Sequence, residues 1–253
     1  MATHPQIIPR PADWRMGGPA PWAHLSAEQR SDLSLDRVID ALAAAGLDRA
    51  PSLAATPRDN DLEILDGLLD APELRSSAVL LALFEEAGEA RIVLTRRSGR
   101  LSSHRGEVSF PGGRLDEGEG PVDGALREAF EEVALDPASA TVVGHLHPIV
   151  TLASRSLINP VIASLEARPL LVAAPDEVER VFDVALRDLL VEGVFHEERW
   201  RRPERPSPRS NDGSFPLWFF EVADEMIWGA TGRLLVDLLC LTLGVDLPAE
   251  SAS

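Results

Sequence analysis

The chain has 253 residues and a mass of 27.4 kDa, with 45% apolar and 26% charged residues, an ordinary globular composition with length enough for one sizeable core and appended arms. Twenty-four Lys and Arg against 41 Asp and Glu leave a formal charge of −17, which excludes a surface built to neutralise nucleic-acid phosphates or an anionic membrane. The single cysteine, Cys240, excludes an internal disulfide and a thiolate metal cluster, and reads as a small buried residue of a helix.

In chain order, residues 1–76 read as an N-terminal extension. Its first part is Pro- and Gly-rich, with Trp14 and Trp22 offered either to the domain that follows or to the partner in a homodimer. Pro5, Pro9, Pro11, Pro19 and Pro21 break any apolar run of the kind a secretory leader needs, and no segment reaches the roughly 18 apolar residues of a membrane span, so a cytoplasmic location is expected. From Ser26 to Leu47 the apolar positions Leu35, Val38, Ile39 and Leu42 fall at helical spacing with Gly46 as the stop, and Asp61 to Leu69 suggests a second short helix.

The main domain is expected over 77–247, followed by a tail at 248–253. Ala78 to Phe84 and Ala90 to Thr95 are apolar runs separated by Glu85, Glu86 and Gly88, the pattern of a β-hairpin. A helix opens at Pro121, suited to a first helical position, and runs to about Val133. Thr141 to Leu146, Leu157 to Leu165 and Glu177 to Val184 read as strands and Ala185 to Val191 as a short helix. Arg199 to Asp212 reads as an exposed loop and His196 just before it as a surface residue. Ile227 to Leu243 reads as an amphipathic helix carrying Ile227, Ala230, Leu234, Leu238 and Leu241 on one face. Strands mixed with a few helices, without regular βαβ alternation, predict an α+β fold.

The chemistry concentrates on the helix from Pro121. Glu128, Glu131 and Glu132 stand at i, i+3 and i+4, so their carboxylates share one face, while Val122, Ala125, Leu126, Ala129 and Val133 form a separate apolar stripe. Like charges at this spacing weaken a helix, and a hard divalent cation is a natural compensator; Mg²⁺ takes oxygen ligands and is commonly shared with substrate phosphates. Gly113, Glu119, Arg127, Glu128, Glu131 and Glu132 also keep a fixed mutual spacing whose chance occurrence at a given start is on the order of one in ten million.

On these residues, with Ala129 and Leu135, the sequence resembles the Nudix hydrolases; Ala134 stands where the family's box ends in glycine. The resemblance implies an α/β/α sandwich with a mixed sheet. It also implies cleavage of a nucleoside diphosphate linked to another moiety, with Mg²⁺ or Mn²⁺ held by Glu128, Glu131, Glu132 and the Gly112 carbonyl. Glu119 and Arg127 become a structural salt bridge, with Gly113 opening the box. Glu131 or Glu132 is a candidate general base, and because the family's base can stand outside the box, Glu177 and Glu179 are candidates too.

The stretch Leu94-Thr95-Arg96-Arg97-Ser98 through His104, Gly106 and Glu107 to Phe110-Pro111-Gly112-Gly113 resembles the coenzyme A pyrophosphatase branch. Gly144-His145-Leu146, Asn159-Pro160-Val161 and Ile227 to Thr231 extend the likeness, which covers about 77–244. It implies substrate contacts from Arg97, Ser98, His104, Phe110 and Gly113, with His104 shaping a loop rather than binding metal, since no second His or Cys stands at ligand spacing. The implied reaction converts coenzyme A or its thioesters to 3′,5′-ADP and a 4′-phosphopantetheine product. ADP-ribose or another nucleoside diphosphate derivative is the alternative substrate, and a non-catalytic nucleotide-binding module the alternative class. One departure bears on the pocket: the branch commonly has Ser-Gly-Phe where this chain has Ser154-Arg155-Ser156.

Overall fold

The computed structural model describes residues 6–51, 57–58, 61, 75–101, 104–151, 155–201 and 212–247. The fold is α+β, with a mixed sheet and three α-helices among these residues. The expected hairpin is present and longer than its apolar runs: β2 (Arg75–Glu86) and β3 (Glu89–Arg97) pair antiparallel around Ala87-Gly88. β2 also pairs in parallel with β8 (Ser156–Leu165), from Arg75 opposite Ser156 to Phe84 opposite Leu165. β6 (Ala140–His145) and β7 (Ile149–Thr151) lie antiparallel to β8, β4 (Val108–Ser109) and β9 (Val178–Ala185) to β3, and the short β5 (Gly112–Arg114) to the start of β2.

Both faces of this sheet are covered, which explains why β2 reads as one unbroken apolar run. Leu80, Ala82 and Phe84 point to one side, where Ala125, Ala129 and Val133 of α2 (Pro121–Val133) pack on them. Leu81 and Leu83 point to the other side and meet Val38 and Leu42 of α1 (Leu35–Ala44) and the helix α3 (Gly229–Leu243). α1 starts where Ser34 caps it, its side chain accepting from the Arg37 amide, so the helical stretch is shorter than Ser26 to Leu47.

A second, four-stranded antiparallel sheet was not foreseen. It runs β1 (Arg15–Met16), β10 (Phe195–Arg201), β11 (Ser214–Val222) and β12 (Glu225–Ile227). Several expectations change with it. Ile227 ends β12, so the last helix starts at Gly229, and its residues from Leu234 to Cys240 are all buried, Asp237 included; the helix is enclosed rather than amphipathic. Cys240 is buried there, and burial pushes its thiol up to about 12. Arg199 to Arg201 belong to β10, not to an exposed loop, while 202–211 fall outside the described residues. His196 stacks on Phe219 with ring centroids 4.9 Å apart, instead of standing free on the surface. Ala185 closes β9 and only a single 3₁₀ turn, Asp188–Leu190, follows it. The helix expected from Asp61 to Leu69 lies outside the described residues except for Asp61.

The N-terminal arm packs on its own chain. Trp22 is 2% exposed, stacked on Phe220 and edge-on to Phe195. Arg10 reaches back to Glu198 with its Nε 2.8 and 3.1 Å from the two carboxylate oxygens.

Candidate functional site

The candidate site forms where the second half of α2 faces β5. Gly112 has φ +156°, and a side chain there would strike the Ala78 carbonyl and Val79. Gly113 lies directly beneath the Glu128 carboxylate, in space that a Cβ would fill. The amide of Gly112 donates to Glu132 Oε2 at 3.2 Å. Two glycines thus let two carboxylates of one helix face settle onto a strand backbone.

Glu132 is 2% exposed, and burial pushes its carboxyl up to about 7 although the Gly112 amide and Arg97 work the other way. Glu128 is raised as well, first by burial, with Arg127 opposing. Glu177 adds to the negative field on both, which places it within electrostatic reach of the pair. Arg97 enters from β3, with Nη1 3.5 Å from Glu132 Oε1 and its buried Nε unpartnered among the described residues.

Glu131 is not drawn to Gly112. It stands 57% exposed and accepts from Arg127 Nη1 at 3.1 Å. Arg127 is the hub of the box: its Nε and Nη2 each lie 2.8 Å from the Glu119 carboxylate, and Nη1 donates to Glu128 at 3.0 Å. This grip holds the Glu119 carboxyl down to about 2, and Glu119 also accepts from the Asp116 amide, which closes the turn before α2.

The segment ahead of the box folds back on itself. The Arg97 amide donates to the Glu107 carbonyl and that of Gly106 to the Arg97 carbonyl, so Gly106 and Glu107 return to the end of β3 beside the site. In the same segment His104 Nδ1 lies 2.9 Å from Glu107, and this bond raises the imidazole against the effect of burial. Ser98 is buried and its amide donates to the Glu177 carbonyl at 2.8 Å. Phe110 is buried in the main core, so its ring is packing rather than the expected substrate contact. Arg155 is exposed and holds φ +49°, the left-handed turn that a glycine adopts freely.

As a donor set, the Glu128 and Glu132 carboxylates with the Gly112 backbone are all hard oxygen, the chemistry that a divalent cation such as Mg²⁺ takes, and their burial leaves negative charge for a cation to offset. Among the described residues, no three Asp, Glu, His or Cys side chains meet in a metal-ligating group. Nor is any helix there long and apolar enough to cross a membrane. One cluster beside the site went unforeseen: buried Glu225 on β12 pairs with Arg96 and Arg180. The aromatic run through Trp218 to Phe220 was the signal of its sheet.

The NUDIX domain family matches residues 74–208. Nudix hydrolase 3 of Caenorhabditis elegans is 29% identical over 180 residues, 68% of this chain and 75% of that protein. A Citrobacter koseri protein described as an uncharacterized Nudix hydrolase NudL is 33% identical over 173 residues, 68% of this chain and 84% of its own. Nudix hydrolase 15, mitochondrial, of Arabidopsis thaliana is 36% identical over 177 residues, covering 66% of this chain and 59% of the plant protein.

Proposed function

This chain belongs to the Nudix hydrolases, enzymes that act on diphosphate bonds and generally need a divalent metal ion, and from that premise we propose that it hydrolyses coenzyme A or its thioesters to 3′,5′-ADP and 4′-phosphopantetheine or its acyl derivative. The observation that carries the reading is Arg97. A guanidinium from the segment that resembles the coenzyme A branch is aimed at the buried carboxylate Glu132 and keeps a donor in reserve. An arginine can grip a phosphate with two parallel hydrogen bonds, and here it would do so in a chain of net charge −17.

In this reading Glu128, Glu131, Glu132 and the Gly112 carbonyl hold Mg²⁺ or Mn²⁺, with Glu131 turning from Arg127 toward the site. When bound, the cation supplies positive charge to the diphosphate and acidifies water. The chain's own residues do the rest. Gly113 leaves room for close approach of the phosphates, and Arg97 fixes one of them. Ser98 and His104 hold the loop that borders the nucleotide. Glu131, Glu132 or Glu177 would take the proton of the attacking water.

Purified protein with Mg²⁺ or Mn²⁺ is incubated in parallel with coenzyme A, acetyl-coenzyme A, ADP-ribose and NADH, and the products are weighed by mass spectrometry. The expected result is 3′,5′-ADP from the coenzyme A samples at the highest rate. ADP-ribose turning over faster overturns the substrate and points to Arg155, whose cation replaces the branch's glycine. Undiminished turnover in a folded Glu131→Gln, Glu132→Gln double variant overturns the metal-site reading, and silence with every substrate favours a nucleotide-binding module.

A further inference from the structure

We propose that Glu225, on the second sheet and more than 90 positions from the box helix, is a positioning residue that aims Arg97 at the diphosphate site; the proposal rests on the reading of that site given above. Arg96 and Arg97 are neighbours on β3, so their side chains leave opposite faces of the strand. Arg97 goes to Glu132 and Arg96 to Glu225, with Nη1 2.6 Å from Oε2. Between them the register of β3 against β9 shifts: Arg96 pairs with Arg180, Arg97 with Val178, and Glu179 is left as an extra residue. Such a bulge bends the strand that carries the extra residue, here β9, and changes how it lies against Arg97 on β3.

Both members of the last regular pair are held by one carboxylate. Arg180 Nη1 lies 3.2 Å from Glu225 Oε1 while Arg96 takes Oε2, and Glu179 stands 3.6 Å from Arg96 Nε. Immediately past the shift the Ser98 amide binds the Glu177 carbonyl, and the Ala174 amide binds the Glu132 carbonyl at 2.8 Å, which ties this edge to the box helix. Glu225 therefore holds the last regular pair of β3 and β9, one residue ahead of Arg97 on β3.

The local structure is costly for a hairpin that only had to turn. Ala223 and Asp224 between β11 and β12 both have positive φ, 55° and 62°, where Asn-Gly would be relaxed. Arg180 Nη1 donates to the Ala223 carbonyl at 3.2 Å, so the same guanidinium that meets Glu225 also holds the strained turn. A buried ion pair can be replaced by apolar packing without loss of stability. Its presence here sets geometry, and the geometry it sets is that of the strand pair delivering Arg97.

The test measures kcat and KM for coenzyme A with saturating Mg²⁺ in the full chain and in Glu225→Gln, Arg97→Gln and their double variant, with near-ultraviolet circular dichroism as the check of fold. Glu225→Gln is expected to lower kcat/KM about tenfold, chiefly through KM, because an ångström of misplacement is felt strongly at a positioned group. The double variant is expected to match Arg97→Gln alone. A merely structural role would instead multiply the two losses, since independent sites add in free energy. Multiplied losses, or a folded Glu225→Gln with the kinetics of the unchanged chain, overturn the proposal. If Glu225→Gln does not fold, Arg96→Met, which frees β3 from Glu225 while Arg180 still meets that carboxylate, takes its place, and unchanged KM there overturns the proposal equally. Glu132→Gln in the same assay separates the two readings: full turnover in that variant removes the site itself, whereas its loss beside an unaffected Glu225→Gln removes only the positioning role.

Discussion

Among the described residues, two regions of this molecule bury glutamates, and they treat them in opposite ways. On the second sheet, Glu198 is 1% exposed and receives Arg10 Nε at 2.8 Å, Trp200 Nε1 at 2.7 Å and a contact from His196 Nε2 at 3.3 Å. Glu197 beside it takes Trp218 Nε1 and lies near Arg199, and Glu225 takes two arginines. At the box, Glu132 is equally buried but has one backbone amide and a guanidinium at 3.5 Å, with Glu128 and Glu177 adding negative field. A carboxylate saturated with donors is a fastener. One left short of positive charge, facing glycines that keep the backbone open, is a place for a cation and a phosphate.

The largest expected effect breaks the comparison if it fails. Glu132→Gln should lower kcat by at least about a hundredfold while the melting temperature holds or rises, since an amide removes a poorly compensated buried charge. Saturating Mg²⁺ should raise the melting temperature of the unchanged chain and do so much less in this variant. Glu198→Ala should do the reverse. Losing it strands the Trp200 N–H and Arg10, and the denaturation midpoint should report a loss of about 3 kcal/mol, with turnover per folded molecule unchanged. A Glu198→Ala protein that stays stable but inactive would show that the second sheet shares the chemistry.

The same contrast explains what was legible in the sequence. The box helix was legible from Pro121 to about Val133, because its start signal, its apolar stripe and its carboxylate spacing agree and all lie within one segment. The central strands were equally plain as apolar runs. The second sheet was hidden because the buried residues of β10 are mostly charged: it reads Phe195-His196-Glu197-Glu198-Arg199-Trp200-Arg201, and a run of charge signals a solvated loop until the partners are known. Those partners are distant, Arg10 by 188 positions and Trp218 by 21. The last helix misled for the opposite reason, since an apolar stripe cannot reveal that its other faces are also covered. Glu131 illustrates the limit at the site: helical spacing puts it on the face of Glu128 and Glu132, but Arg127 four residues back competes for its carboxylate.

A smaller effect sharpens the comparison inside the box. Glu119 is depressed to about 2 from an ordinary 4.5, first by the hydrogen bonds from Arg127. A carboxylate lowered in the folded state binds fewer protons there than when unfolded. Its stabilisation is therefore whole above about pH 4.5 and drains away as pH falls toward 2. Solvent screening keeps the contribution to at most about 1 kcal/mol. Stability curves of the chain and of Glu119→Gln should differ at pH 7 and converge near pH 2; parallel curves would mean that the bridge with Arg127 does not fasten the box.

The smallest effect concerns the one box position at which the sequence departs from its family. Ala134 sits at φ +57°, ψ +30°, beyond the end of α2. Its amide donates to Phe130, and the Leu135 amide reaches Ala129 at 3.3 Å, the paired bonds of a left-handed helix end. Leu135 is buried on the apolar stripe of the same helix, so the chain must turn here, whatever residue occupies 134. Alanine resists that turn through its Cβ, and the Cβ is exposed, so it wins nothing back by burial. Ala134→Gly should therefore gain about 1 kcal/mol in the folded state, less the entropy that glycine adds to the unfolded chain. A raised denaturation midpoint with unchanged kcat would place the departure in the cap alone. A changed kcat would mean that strain at the helix end reaches Glu132, two residues before it, and that the family's glycine serves the carboxylates as well as the turn.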